Sequence, residues 1–222
     1  MTSTTPDQRR FLLAYAEAAH QAHEVLTRLD QLSGDGDFGD NLREGLDRVV
    51  AALAEQPDTP PVTVAAGVFL DEVGGTSGPL LGLIFQELGR ALAEDSGPGA
   101  WARGVREGLA AVQRVGEAEV GDRTLVDALV PARDALEGSA PFAEVAAASW
   151  SAALDTARLR ARRGRASYVG DRAVGHPDPG AVGVALMFQA LARAGELEPS
   201  AGYGELLDQL RSLAYGSGTA EA

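Results

Sequence analysis

The stretch from Leu29 to Asn41 reads LDQLSGDGDFGDN and places four aspartates, at positions 30, 35, 37 and 40, close together. Carboxylates at this spacing repel one another unless a cation neutralises them, and hard oxygen ligands favour Mg²⁺ or Ca²⁺ over softer metals. The glycines between them allow the backbone to fold tightly. The stretch therefore predicts a divalent-cation site, and the simpler alternative is a solvated turn whose aspartates cap helices.

The spacing of these aspartates does not fit an EF-hand loop. With Asp35 at position 1 of such a loop, positions 5, 6 and 12 would be Gly39, Asp40 and Leu46. An EF-hand requires an oxygen ligand, a glycine and a glutamate at these positions, so all three fail. Mg²⁺ keeps part of its water shell and often takes phosphate oxygens as further ligands, so the cluster predicts a phosphorylated ligand.

Two other segments could contact phosphate. The sequence GGTSGP at 74–79 precedes an apolar segment, so Thr76, Ser77 and Gly78 would lie at a helix N-terminus, where anions are favoured. The same pattern is also an ordinary helix start. RARRGRASYVGDR at 160–172 is a dense basic segment, in which 158–163 is interpreted as a charged helix C-terminus and Arg165 as the candidate phosphate contact.

The composition excludes several classes of protein. A net charge of −13 argues against nucleic acid or an anionic membrane surface as a partner. The chain has no cysteine and no lysine, which excludes thiolate catalysis, a Walker A loop and a protein-kinase fold. The three histidines form no recognisable set with Ser and Asp. No apolar run reaches the ~18 residues of a membrane span, so a cytoplasmic protein is expected.

Apolar residues recur at helical spacing along most of the chain and predict an all-α protein of eight or nine helices with no convincing strand. The segment 80–93 is apolar nearly all round, so we expect it in the middle of the protein. One domain is predicted over 7–215, between disordered tails at 1–6 and 216–222. The predicted helices are 7–29, about 40–55, 62–72, 80–93, 100–115, 124–136, 142–160, 179–194 and 204–214. The second of these would have Asp40 or Asn41 as its N-cap.

Four motifs, in this order, resemble the nucleotide-binding L subunit, or L domain, of dihydroxyacetone kinases: LDQLSGDGDFGDN, GGTSGPLLG, GDRTLVDALVP and GRASYVGDRAVGHPDPGA. The resemblance implies a barrel of about eight antiparallel amphipathic helices, with a nucleotide in the loops at one end. It implies that Asp30, Asp35 and Asp37 bind two Mg²⁺ ions, and it assigns no residue of this chain a catalytic role. The nucleotide contacts that it implies are Phe38, Gly39, Asp40, Asn41, Thr76, Ser77, Gly78, Gly116, Leu125, Arg165, Asp178, Pro179 and Gly180.

The activity implied by the resemblance is phosphoryl transfer to dihydroxyacetone or a related small ketose, either from ATP or from a bound ADP that has first been rephosphorylated. A separate K subunit would hold the ketose through a histidine that this chain lacks, and some relatives use a phosphotransferase-system M subunit to rephosphorylate bound ADP. The alternative is a non-catalytic nucleotide-binding or regulatory module, and a homodimer is left open. Two positions depart from the family: Phe38 replaces a His or Thr, and Asp40 would add a fourth negative charge near the phosphates.

Overall fold

The computed structural model describes residues 5–196 and 202–215, which form ten α-helices and no strand, so the all-α prediction is confirmed. Short 3₁₀ turns occupy Thr156–Arg158 and Gly170–Ala173. The α-helices are Gln8–Ser33 (α1), Phe38–Glu55 (α2), Pro61–Asp71 (α3), Ser77–Glu94 (α4), Pro98–Gly116 (α5), Leu125–Glu137 (α6), Phe142–Asp155 (α7), Ala166–Val169 (α8), Pro179–Ala194 (α9) and Gly204–Tyr215 (α10).

Eight of these helices form a closed ring. Each helix from α1 to α7 packs against the next, and α9 packs against both α7 and α1, which closes the ring. Helix α10 packs against α1. The connections from α1 to α7 are short, so neighbouring helices run antiparallel, and the predicted barrel is confirmed.

The antiparallel ring has a direct consequence for the loops. The connections that follow α1, α3, α5 and α7 all leave from the same end of the ring, and α2, α4, α6 and α9 begin at that end. These connections are residues 34–37, 72–76, 117–124 and 156–178. Segments that are far apart in the sequence, including all four motifs described above, are therefore brought together at one end.

The core of the ring is built from aliphatic side chains around a small aromatic cluster. Phe11 of α1 lies edge-on to Trp101 of α5, with ring centroids 5.6 Å apart, and also contacts Phe85 of α4 at 6.5 Å. Helix α9 is the most enclosed helix, because 13 of its 16 residues are buried and it packs against α1, α6 and α7. Helix α4, which we expected in the middle, has 9 of its 18 residues buried.

Several helix boundaries differ from the predicted ones; helix α4, for example, begins at Ser77 and not at residue 80. Helix α1 continues past Leu29 to Ser33, because the Gly34 N–H donates to the Asp30 carbonyl at 2.5 Å and extends the last turn. Helix α2 begins at Phe38, so its N-cap is Asp37 and not residue 40 or 41. The predicted helix 142–160 ends at residue 155, where a 3₁₀ turn replaces it.

The predicted tails lie mostly outside the described residues, which include only Thr5 and Pro6 of them, so the division into one domain and two tails stays a prediction. Within the described part of the chain, no helix is both long enough and apolar enough to span a membrane.

Candidate functional site

A cleft opens at the end of the ring where the four connecting loops meet. Every one of these loops contributes to its walls, and so do the first turns of the helices that follow them. The lining residues are Asp30, Ser33, Asp35, Asp37, Phe38, Asn41, Gly75, Thr76, Ser77, Leu80, Arg123, Thr124, Leu125, Arg163, Gly164, Arg165, Ala166, Asp178, Pro179 and Gly180.

Four helix N-termini face this cleft. Phe38, Ser77, Leu125 and Pro179 are the first residues of α2, α4, α6 and α9, and all four line it. The N-terminus of a helix carries a partial positive charge and N–H groups without partners inside the helix, so it attracts anions. The cleft is therefore suited to a ligand with several negatively charged groups.

The four N-termini differ in how they are capped. Helix α6 has a capping box, in which the Thr124 side chain accepts from Val126 N–H and the Asp127 carboxylate accepts from Thr124 N–H at 2.8 Å. Helix α9 is capped by Asp178, which accepts from Ala181 N–H at 2.9 Å. In the described structure the N-cap residues of α2 and α4 make no side-chain hydrogen bond to the helix, and the first N–H of α2, that of Phe38, donates to the Asp30 carboxylate. These two N-termini thus remain the better places for a ligand to accept backbone hydrogen bonds.

The three aspartates predicted to bind metal all line the cleft, but they differ in their surroundings. The Asp30 carboxylate is buried, and its Oδ2 accepts from the N–H groups of Gly36 and Phe38, each at 3.0 Å. Asp35 and Asp37 are exposed on the rim. The backbone of the loop therefore folds around Asp30 and leaves one of its carboxylate oxygens for a ligand.

The donor set fits a hard cation in kind, since it consists of carboxylate oxygens at the mouth of a cleft that favours anions. Among the described residues, however, no three acidic or histidine side chains converge closely enough to hold an ion. One of the three aspartates, Asp35, forms an ion pair with the guanidinium of Arg165.

The cleft is small, and the Arg165 side chain lies across it. The cavity has a volume of about 160 Å³, whereas pockets for drug-sized ligands usually have ~300–1,000 Å³. Arg165 lies on the segment 163–166, which forms one wall, and its side chain crosses to the wall that carries Asp35. The cleft is therefore smaller than such pockets, and the Arg165–Asp35 ion pair spans it.

A buried ion pair forms the wall between α6 and α9. The Arg123 side chain is completely buried, and its Nη1 lies 3.8 Å from Oδ1 of Asp178. Its Nη2 donates to the carbonyls of Ala173 at 3.2 Å and His176 at 2.9 Å. Burial raises the pKa of the Asp178 carboxyl to about 6, against the opposing effect of the Arg123 charge.

Phe38, which departs from the family pattern, has a specific packing partner. Its ring is buried and lies against Gly183 of α9, where a Cβ would come 2.6 Å from the Phe38 Cζ atom. The Tyr15 hydroxyl donates to the Gly183 carbonyl at 2.9 Å and fixes this part of α9. The aromatic side chain therefore forms an apolar part of the cleft wall that α9 accommodates by having no side chain at position 183.

Most of the predicted contact residues line the cleft, but four do not: Gly39, Asp40, Gly78 and Gly116. The Asp40 carboxylate instead lies 2.8 Å from Nε2 of His23 and accepts from Arg43 at 3.0 Å. The hydrogen bond with His23 lowers the pKa of Asp40. Asp40 thus does not add a fourth carboxylate to the cleft, contrary to what we expected from the sequence.

Two of the three glycines among these four residues pack closely against the backbone of a neighbouring segment. Gly39 packs against α1 at Thr27, and Gly78 lies against the Val73 carbonyl, so a side chain at either position would collide with backbone. Gly116 is the last residue of α5.

Eight residues that line the cleft were not predicted from the sequence: Ser33, Gly75, Leu80, Arg123, Thr124, Arg163, Gly164 and Ala166. Thr124 carries a recognisable signal, because Thr followed three residues later by Asp before an apolar run is typical of a capping box. Arg123 lies in the motif GDRTLVDALVP, but its contacts were not predictable, since they are made to the loop before α9, some fifty residues further along the chain.

Comparison with known proteins identifies the family. The family model described as the DAK2 domain matches residues 33–193. The chain belongs to the DAK2 domain family. Its relatives in this family include the ADP-binding subunit DhaL of PEP-dependent dihydroxyacetone kinase 1 from Listeria innocua, which is 34% identical over 82% of this chain and 92% of the relative. The corresponding Escherichia coli subunit is 38% identical over 77% of this chain and 88% of the relative. The DAK2 domain described here is thus of the DhaL type.

Longer proteins contain the same domain. D-erythrulose kinase from Mycolicibacterium smegmatis is 37% identical over 81% of this chain, and the chain spans only 33% of that protein. Among solved structures, the dihydroxyacetone kinase from C. freundii in complex with AMP-PNP and Mg²⁺ matches 83% of this chain and 33% of its own, with a TM-score of 0.65 and 25% identity. This DAK2 domain therefore has relatives that are separate subunits and relatives that are parts of larger kinases.

Proposed function

We propose that this chain is the nucleotide-binding L subunit of a kinase for dihydroxyacetone or a related small ketose. The observation that carries the proposal is the convergence of four helix N-termini and three aspartates on one cleft. Such a cleft suits a polyphosphate together with a divalent cation. The relatives support this ligand, since two are named as ADP-binding subunits and a related kinase was solved with AMP-PNP and Mg²⁺.

In the proposed arrangement Asp30, Asp35 and Asp37 would hold two Mg²⁺ ions. When bound, these ions neutralise negative charge on the phosphates. The N-termini of α2 and α4 would donate N–H hydrogen bonds to the phosphate oxygens, and the Thr76 and Ser77 hydroxyls would donate O–H hydrogen bonds to them. Leu125 and the residues 178–180 form the rest of the wall, which would hold the nucleoside, and Arg165 would leave Asp35 to contact a phosphate.

The chain's own contribution to phosphoryl transfer would be positioning and electrostatic stabilisation. Fixed N–H dipoles favour the negative charge that spreads over the transferred phosphoryl group, and they need no reorganisation during the reaction. We assign no nucleophile or general base to this chain. The acceptor hydroxyl would come from a ketose held by a separate K-type subunit docked at the mouth of the cleft.

The acceptor and the phosphoryl donor define the finer alternatives. Dihydroxyacetone and erythrulose are both plausible acceptors, because kinases named for each occur among the relatives. The donor would be ATP, or an ADP that stays bound and is rephosphorylated by a phosphotransferase-system M subunit, as the PEP-dependent relatives suggest. A homodimer of this subunit is a further alternative.

The first experiment is calorimetric titration of the purified chain with ADP and with ATP, each with and without Mg²⁺. We expect binding that depends on Mg²⁺ and is lost in Asp35→Asn, while circular dichroism shows unchanged helix content. Asp47→Asn is the matched control, because Asp47 is an exposed aspartate paired with His20 away from the cleft. A wild-type chain that binds neither nucleotide in the presence of Mg²⁺ would contradict the proposal.

The second experiment tests catalysis by reconstitution with a K-type subunit. We expect phosphorylation of dihydroxyacetone or erythrulose only when both chains are present. A second candidate function, a non-catalytic nucleotide-binding module, is favoured by one observation, the apolar Phe38 at the cleft wall in place of a hydrogen-bonding residue. Tight Mg-nucleotide binding without turnover by wild type, and turnover gained by Phe38→His, would support that second function.

A further inference from the structure

The cleft wall contains one cation, Arg123 of the motif GDRTLVDALVP, to which neither the sequence analysis nor the proposed ligand contacts give a role. Three arginines line the cleft in the described structure: Arg123, Arg163 and Arg165. The side chains of Arg163 and Arg165 are 46% and 53% exposed; Arg163 pairs with Glu117 and Asp122, and Arg165 pairs with Asp35. Arg123 differs from both, because its side chain has no exposed surface at all.

The guanidinium of Arg123 is only partly satisfied. Its Nη2 donates to two carbonyls of the loop before α9, but Nε and Nη1 are buried and have no hydrogen-bond partner among the described residues. Asp178, at 3.8 Å, is too far for a hydrogen bond. Buried donors without partners are costly and are kept where a function or an unseen ligand explains them.

The backbone at Arg123 is also unusual. Its φ is +61°, in the left-handed region that residues with a side chain seldom adopt. The neighbouring Thr124 and its capping box fix the start of α6, so the side chain of Arg123 is directed across to the loop before α9. Two unfavourable features, a strained backbone and unpaired donors, thus coincide at one residue of the cleft wall.

The charge of Arg123 is placed where it would act on a ligand. The cleft holds the carboxylates of Asp30 and Asp178 in its interior and two more on its rim, so an anion entering it meets repulsion. Exposed arginines offset this repulsion weakly, because water and salt screen them, whereas a buried charge is screened much less. The distance of 3.8 Å between Arg123 Nη1 and Asp178 Oδ1 shows that the two charges are not joined by a hydrogen bond.

We propose that Arg123 is a further positioning residue of this site, which holds the loop before α9 in place and supplies the buried positive charge that attracts the nucleotide polyphosphate. This inference rests on the proposed nucleotide-binding function. It assigns to Arg123 an electrostatic effect on the ligand in addition to its structural bonds.

The test compares Arg123→Lys with Arg123→Met, two side chains of similar length that differ in charge. Calorimetric titration with ADP and Mg²⁺ should show about 10- to 100-fold weaker binding for Arg123→Met, and most of this loss should be recovered in Arg123→Lys. Most of the loss should persist as NaCl is raised, because salt screens a buried charge much less than an exposed one. Equal affinities for the two variants, at equal thermal stability, would overturn the proposal.

A double variant separates the ligand effect from a purely structural one. Removing Arg123 leaves Asp178 buried without a counter-charge and could destabilise the fold, so Arg123→Met is also made together with Asp178→Asn, with Asp178→Asn alone as the reference. Asn retains the helix-capping side chain. We expect the double variant to regain thermal stability but to bind Mg-ADP more weakly than its reference. Affinity equal to the reference would show that Arg123 serves only as a counter-ion and would overturn the proposal.

Arg193→Met is the matched control for the loss of a largely buried arginine. Arg193 lies at the far end of α9, is 16% exposed and also has an Nη1 without a hydrogen-bond partner within the described chain. Its replacement should lower stability and leave nucleotide affinity unchanged. If the wild-type chain itself fails to bind Mg-ADP, the proposed function fails and this inference fails with it, whereas normal wild-type binding with unaffected Arg123 variants removes the inference alone.

Discussion

The contact between Phe38 and Gly183 allows a sharp test of how α9 shapes the cleft. In Gly183→Ala the new Cβ would lie 2.6 Å from the Phe38 Cζ atom and 3.1 Å from Cε1. Carbon atoms pack best at ~3.5–4.0 Å, so the ring has to move by about 0.9 Å or more, and the cleft is the open direction. Such overpacking costs about 1–3 kcal/mol.

Two gains oppose this cost. Ala is better than Gly inside a helix by about 1 kcal/mol, and a buried methyl group contributes about 0.8 kcal/mol. In the wild type, Gly183→Ala should therefore change the free energy of unfolding by close to zero. In a Phe38→Leu background the same substitution should stabilise the protein by about 1–2 kcal/mol, because Leu lacks the ring atoms that collide. We predict a coupling free energy of about 1–3 kcal/mol between the two positions.

The assay is a double-mutant cycle by urea and thermal unfolding, in which each kcal/mol shifts Tm by about 2–4 °C for a chain of this size. Mg-ADP affinity is measured on the same four proteins, and Gly183→Ala should weaken it only where Phe38 is present. Gly67→Ala in α3 is the control, since a Cβ there meets nothing within 4 Å and should stabilise both backgrounds equally. A coupling below ~0.5 kcal/mol would refute the idea that position 183 is kept free for the ring.

Three further predictions concern single residues. Because burial raises the pKa of Asp178 from 3.8 to about 6, the folded protein binds this proton more tightly than the unfolded chain, so the stability from this group is present below about pH 4 and is lost as the pH rises through 6. Asp178→Asn should remove that loss, up to about 3 kcal/mol, and urea unfolding of both proteins at pH 4 and 7 measures it. Asp37→Asn should abolish Mg-ADP binding and leave Tm unchanged. Asp30→Asn should abolish binding and also cost about 1–3 kcal/mol of stability, because the buried Asp30 carboxylate accepts two N–H bonds. Unchanged stability of Asp30→Asn would contradict this expectation. Thr124→Ala should lower the free energy of unfolding by about 0.5–2 kcal/mol through loss of the α6 cap, and an unchanged urea midpoint would show that the cap contributes nothing.

Local patterns in the sequence were enough for much of the fold and part of the site. Helical spacing of apolar residues predicted nine helices, because an amphipathic stripe shows which face of a helix is buried, whichever other helix packs against that face. The sequence did not predict which helix is the most buried. The segment 80–93 was expected in the middle because it is apolar nearly all round, yet a larger fraction of α9 is buried. Enclosure depends on the number of neighbours, and α9 occupies the closing position of the ring, which no local pattern reveals.

The candidate site shows the same division between local and long-range information. Asp30, Asp35, Thr76 and Ser77 were found because acidic clusters and glycine-rich helix starts are local signals, and they do line the cleft. The direction of the Asp40 side chain was not predictable, since it depends on His23 across the α1–α2 interface. Metal ligation by the aspartates and nucleotide contact by the cleft residues stay predictions that the binding experiments above test.

The closed antiparallel ring itself explains why a helical protein of strongly acidic composition can offer a site for an anion. In such a ring every second helix must begin at the same end, so the positive ends of four helix dipoles face one cleft, whatever side chains the loops carry. The acidic loop residues at that end lie between the positive helix N-termini and bulk water. In that position the helix N-termini favour the polyphosphate and the carboxylates favour its cation. The fold thus supplies the attraction for the anion, and the aspartates and Arg123 would determine which anion is held and in what position. A cleft whose affinity for Mg-ADP survived neutralisation of Asp35, Asp37 and Arg123 would show instead that the helix dipoles alone are sufficient.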